Sequence, residues 1–353
     1  MISVISSLRM DSMSQILAAF RTTIRTNVVA ALASIIGMGA AMAASMGGDA
    51  ALDALIEANK PVEVERAAKE RLAKNNKDEA AYWYLGMAAL VQNNSKKRTA
   101  ALESMDACIA VLSQSSLCHL QAGRLLGVEA MEAGLVKAMS SVGRIKNYFV
   151  RAHELDTKSF EARRDLMQFY LQAPGIAGGS ESKARELALG LGAQNPEQSK
   201  LLRATIAIHE KKRDEAEQLL QSVKHAGDES IIESLQSSWI TLGLSHLNDK
   251  GATKARHIFE RVIRDKPQRT AGYFFLGRAQ LELSEWDAVI ASFKTAAQFD
   301  KAGVFATDYR LGVAFEGKGD KPQAKLAYNR ALSWSKLTEK AREEVTKRIA
   351  GLS

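Results

Sequence analysis

Residues 239–267 read WITLGLSHLNDKGATKARHIFERVIRDKP, and the spacing within this stretch decides the fold. Trp239, Leu242 and Gly243 mark its first half; Ala255, Phe259 and Val262 follow at helical spacing, and Pro267 closes it. Thirty-four residues on, Tyr273, Leu276, Gly277, Val289, Phe293 and Ala296 stand in the same places. Thirty-five further, Leu311, Gly312, Ala324, Tyr328 and Ala331 do so again. A pattern returning at near-constant spacing marks a repeated supersecondary unit, because one such unit cannot bury its apolar face alone.

Packing explains the residue types. Each unit is a pair of antiparallel helices. The small residue of the Leu-Gly pair lets the second helix approach the first, the later Ala and Val positions admit the next hairpin, and the aromatic fills the gap between them. Pro267 sits in the turn after its unit, where it cannot continue a helix. Composition agrees with an all-helical chain: 46% of the 353 residues are hydrophobic and only five are proline.

This W/Y-L-G…A…F/Y…A…P pattern resembles the tetratricopeptide repeat. The resemblance implies an all-α, right-handed superhelical solenoid of about seven antiparallel hairpins with a capping helix. It also implies a protein that holds a protein or peptide in a concave groove rather than catalysing a reaction. Upstream the pattern drifts. Tyr82, Leu85 and Gly86 open a unit whose second helix carries Met105; His119–Gly123 opens another that ends at Phe149 and Ala152. Phe160 to Gln172 is the first helix of a unit completed by Ala184, Ala188 and Leu191, and Ala204, Ala216 and Leu220 make the next. Leu52 to Lys74 reads as an atypical first hairpin. Leu337, Ala341, Val345 and Ile349 form an apolar stripe backed by charged residues, as a solvating end cap requires. The run Asp165–Tyr170, with the following Pro174-Gly175-Ile176-Ala177-Gly178-Gly179-Ser180, is similar to a group of exported bacterial tetratricopeptide proteins for which no activity carries over.

The first 43 residues read differently. Arg9, Arg21 and Arg25 precede an apolar run from Val28 to Ala44, and Ala41-Met42-Ala43 supplies small residues before a cut at Ala44. These are the features of a signal peptide, so the expected organisation is a leader over 1–43, a solenoid over 44–353, and export to the periplasm. The competing reading is an uncleaved anchor, which would make the protein a membrane-attached structural or envelope-assembly component. The apolar run is short and diluted with Ala and Gly for a span of about 20 residues.

In the resembled family the groove is lined by the positions after the aromatic and after the glycine. Here these are Trp83, Met87, Ile240, Leu244, Phe274, Arg278, Tyr309 and Val313. The family's clamp for acidic C-terminal tails uses Lys, Asn and Arg at such places; this mostly apolar set departs from it. The same side chains would also serve as packing between neighbouring first helices. Gly178, Gly179 and Ser180 lead into a helix and suggest an anion or sugar site, but the full phosphate-loop spacing is missing and no strand precedes it. The structural alternative is a turn with a Ser cap. Cys108 and Cys118 are the only cysteines. They either pair across a turn, worth roughly 3 kcal/mol, or pack as two small hydrophobes.

No His, Asp and Glu cluster has metal-ligand spacing, and no Ser sits in a nucleophile frame. The expectation is therefore no metal, no cofactor and no catalytic group. The net charge of +8 is spread along the chain without a basic stripe interleaved with aromatics, so nucleic acid is not an expected partner.

Overall fold

A computed structural model describes residues 47–92, 94–300, 303, 305–334 and 337–352. The leader read at 1–43 lies outside them. Among the described residues there are seventeen α-helices, one short 3-10 turn and no strand. No described helix is long and apolar enough to cross a membrane.

The chain divides into two compact units, one ending at Leu187 and the other beginning at Ala188. The first holds α1 (Ala50–Glu57), α2 (Pro61–Lys74), α3 (Glu79–Gln92), α4 (Ser95–Val111), α5 (Ser116–Glu132), α6 (Leu135–Leu155) and α7 (Phe160–Gln172). It also contains most of α8 (Glu181–Leu189). The second holds α9 (Pro196–His209), α10 (Arg213–Gln221), α11 (Glu229–Asn248), α12 (Ala252–Asp265), α13 (Thr270–Glu282) and α14 (Trp286–Phe299). It finishes with α15 (Thr307–Lys318), α16 (Lys321–Leu332) and α17 (Glu339–Gly351). The sixteen helices before α17 follow one another as eight pairs, the seven repeat-like units and the atypical first hairpin, with α17 as the expected final helix.

Local chemistry starts and stops these helices. Asn94, Ser115, Ser159, Asp228, Asp320 and Thr338 each cap a helix N-terminus by accepting a backbone N–H. Pro61 and Pro196 stand in the first turns of α2 and α9, where a missing N–H costs nothing. Gly319 ends α15 in the left-handed region at φ 85°.

The repeated residues make one repeated contact. A Cβ on Gly243 would lie 2.5 Å from the Phe259 ring, on Gly277 2.8 Å from Phe293, and on Gly312 2.4 Å from Tyr328. In each hairpin the aromatic of the second helix rests against the bare backbone of the first. Gly123 meets Phe149 in the same way, at 2.6 Å. Phe259, Phe293 and Tyr328 are fully buried, as are Ala255, Val262, Val289, Ala296 and Ala324 around them. Burying an aromatic ring in each of these four hairpins stabilises them at about 25 cal/mol per Å² of apolar surface.

Cys108 and Cys118 are bonded to each other and buried, joining the end of α4 to the start of α5. Of the two readings of this pair, the structure takes the staple.

Candidate functional site: the faces of the first helices

Successive first helices pack against one another: α3 against α5 in the first unit, and α9 against α11 and α11 against α13 in the second. That contact decides the fate of the eight residues expected to line a groove. Trp83, Met87, Ile240, Leu244 and Phe274 are each less than a tenth exposed. The next first helix covers Trp83: the Gln121 side chain donates to its carbonyl at 3.2 Å, and the Arg124 guanidinium lies 5.4 Å from its ring. Phe274 packs in a cluster of rings, 4.6 Å from Phe305 and 5.6 Å from Phe293. These five are hydrophobic packing between neighbours and have almost no surface to offer a partner. Arg278, Tyr309 and Val313 are half-buried and remain on the face of the second unit.

The glycine loop is likewise built for turning. Gly178 stands at φ +91°, and a Cβ on Gly179 would fall 1.7 Å from the carbonyl oxygen of Ala173. The N–H groups of Gly178, Gly179 and Ser180 donate to the carbonyls of Gly175, Pro174 and Tyr170 at 2.8–3.0 Å. The Ser180 hydroxyl accepts from the N–H of Lys183 at 3.3 Å. The loop's own donors are engaged in its turn, and Ser180 caps the helix that follows, as the structural alternative requires.

Two arginine clusters, which spacing alone did not bring together, dominate the electrostatics of these faces. In the first unit Arg124 Nε donates to Asp165 Oδ2 at 2.6 Å, and Arg164 donates from Nε and Nη2 to Oδ1 at 3.0 and 2.9 Å. Burial opposes ionisation of Asp165, but the two guanidinium charges and their hydrogen bonds outweigh it and hold the carboxyl below the usual range. In the second unit Arg278 on α13 and Arg310 on α15 are both half-buried. Arg278 lies over the Phe275 ring at 5.7 Å and Arg310 over Tyr309 at 5.4 Å. Burial, and then the charge of Arg310, pulls Arg278 down to about 10. Burial also lowers Arg310.

The cap helix braces the edge of this second cluster. Tyr309 Oη donates to Glu344 Oε1 at 3.0 Å, and Arg348 donates to Glu344 at 3.1 Å and to Glu316 at 3.0 Å. The hydrogen bonds from Tyr309 and Arg348 hold the Glu344 carboxyl below its ordinary value. Arg124 follows Gly123 as Arg278 follows Gly277, so one member of each cluster stands at a position the repeat marks. Asp165, Arg164 and Arg310 carry no such mark. Among the described residues no group of three His, Cys, Asp or Glu side chains is placed to hold a metal ion.

Helical hairpins with glycine–aromatic contacts, followed by a final helix, make this chain an all-α helical-repeat protein. Solved structures similar to it include proteins named for the tetratricopeptide repeat. One from Parabacteroides merdae is 14% identical, covering 76% of this chain and 98% of that one with a TM-score of 0.42. PilF of Pseudomonas aeruginosa is 16% identical over 65% of this chain and 97% of that one, TM-score 0.40. YrrB is 12% identical over 70% and 99%, TM-score 0.33. No family model matches the chain, and no curated protein matches it.

Proposed function

We propose that this protein is an exported, periplasmic scaffold or adaptor that binds a protein or peptide partner without catalysing a reaction. The observation that carries the reading is the first-helix face of the second unit. There Arg278, Arg310, Tyr309 and Val313 remain half-buried while the neighbouring repeat positions are closed by packing. Helical repeat arrays use such faces to hold other chains, because the hairpins supply a rigid surface and no reaction centre. YrrB is described as having an unusual peptide-binding site; the reading here rests on this chain's own residues.

Export is supported by the leader-like sequence at 1–43 and by the Cys108–Cys118 bond, since disulfides persist chiefly in oxidising compartments. Fractionation of producing cells with intact-mass measurement is expected to find a periplasmic chain beginning at Ala44. A cytoplasmic chain that keeps residues 1–43 would sink the export reading, and a membrane-bound one would turn it into the anchored form. Binding is tested by affinity capture from envelope extracts. A defined protein is expected with the natural chain and a clear loss of it with Val313→Trp, which places bulk on the face without altering its charge. Capture unchanged by that substitution removes the face from the mechanism.

A further inference from the structure

α4 lacks the aromatic ring that fastens α12, α14 and α16 to the glycines of their hairpins. The position sixteen residues after the glycine holds Phe259, Phe293 or Tyr328 in those hairpins; after Gly86 it holds Leu102. No residue of α4 is aromatic, and the side chain nearest to Gly86 is Gln121 of α5, 3.2 Å from where a Cβ would lie. The buried face of α4 is a narrow row of Arg98, Ala101, Met105 and Cys108. Two ties hold the ends of that row to α5. At its start Arg98, 1% exposed, donates from Nε to Glu129 Oε1 at 2.6 Å and from Nη2 to Glu132. At its end Cys108 is bonded to Cys118. Lys97 also meets Glu65 at 3.0 Å and Arg144 meets Asp106 at 3.5 Å, but pairs with exposed members contribute little. The attraction within a buried ion pair is largely offset by the desolvation of its charges, so the covalent tie is the one that decides whether α4 stays in place.

We propose that α4 is a redox-conditional element: it seats on α3 and α5 only after Cys108 and Cys118 have joined, so the first unit closes in an oxidising compartment and stays open in a reducing one. The two thiols lose two electrons and two protons to a small-molecule disulfide, which is cleaved to two thiols as the bond between the Cys108 and Cys118 Sγ atoms forms. Neither cysteine is more than 1% exposed, so this exchange takes place before α4 is seated, and the seated bond is sheltered from reductants. The bond is therefore a latch that closes once during folding. The second unit contains no cysteine, and its hairpins bury Phe259, Phe293 and Tyr328, so the same change leaves it untouched. The inference goes beyond the scaffold reading; only its cellular meaning, closure after export, rests on the export part of that reading.

The test compares the full oxidised chain with the same chain refolded in excess dithiothreitol and with the double variant Cys108→Ala, Cys118→Ala, which keeps two small apolar groups and no bond. Amide hydrogen exchange reads α4 against the second unit within one molecule. In both bond-free forms the amides of α4 are expected to exchange at least about tenfold faster than in the oxidised chain, a larger change than in α2 or α6, while α12, α14 and α16 keep their rates. Dithiothreitol is expected to reduce the bond of the folded oxidised chain at least about tenfold more slowly than in denaturant. Unchanged exchange in α4, a loss spread evenly over the first unit, an equal loss in the second unit, or reduction at one rate with and without denaturant each overturns the proposal. If α4 behaves as expected in a chain found in the cytoplasm with residues 1–43 attached, the latch stands and the export reading falls. An exported chain whose α4 is protected without the bond keeps the export reading and ends the latch.

Discussion

Arg124 and Arg164 in the first unit converge on a carboxylate; Arg278 and Arg310 in the second each lie over an aromatic ring and meet no carboxylate among the described residues. Both pairs sit on first helices, lie close to aromatic rings and are largely withdrawn from water. They differ in one residue, Asp165. Where the anion is present, the cluster is closed: Arg124 covers Trp83 and ties α5 to α7, and the charge is neutralised inside the fold. Where it is absent, the fold bears the desolvation of two cations with no internal return. Local conflicts of this kind concentrate where a protein meets its ligands, because the ligand resolves them. The comparison therefore separates arginines that the fold neutralises from arginines that it leaves over aromatic rings.

The sharpest way to break this distinction is to remove the anion from the closed cluster. Asp165→Asn keeps the shape but leaves Arg124 and Arg164 without a counter-charge, and chemical unfolding should show a loss of about 3–5 kcal/mol, the cost of stranding buried charge. The pH dependence has a definite sign. Asp165 has a folded value below its unfolded one, so its contribution is full above the ordinary carboxylate pKa of about 4 and is lost as pH falls through the lower folded value. Stability of the natural chain should fall on acidification below about pH 4 by a component that Asp165→Asn lacks. An Asp165→Asn protein as stable as its parent would mean that the first cluster is not structural either, and the contrast would collapse.

The fold was legible because its decisive contact recurs. Gly243 with Phe259, Gly277 with Phe293 and Gly312 with Tyr328 are all sixteen residues apart, so three copies of one packing solution can be read directly. Gly123 and Phe149 make the same contact across twenty-six residues, because α6 is long and the hairpin before it is stretched. Spacing grouped those two residues in one unit but did not disclose that they touch. The face was less legible. Helical period shows which positions leave the hairpin's own core but not whether the next hairpin covers them. Trp83, Met87, Ile240, Leu244 and Phe274 were therefore indistinguishable from Arg278, Tyr309 and Val313 until neighbours were in place. Arg310 stands beside a marked position rather than on one, and its missing counter-ion is a property of three-dimensional surroundings. The glycine loop left a structural turn and an anion site both open in the sequence; in the fold the N–H groups of Gly178, Gly179 and Ser180 are engaged in the turn.

Matched thermal unfolding of Arg124→Met and Arg310→Met puts the two clusters on one scale, since each change removes one guanidinium while keeping an apolar stem. Arg124→Met is expected to lose about 1–3 kcal/mol with its charged hydrogen bond, a fall of about 2–4 °C per kcal/mol in a chain of this size. Arg310→Met is expected to melt at the same temperature as the natural chain or above it. If Arg310→Met melts as low as Arg124→Met, the second arginine pair is holding the fold together, and the contrast between the two clusters is gone.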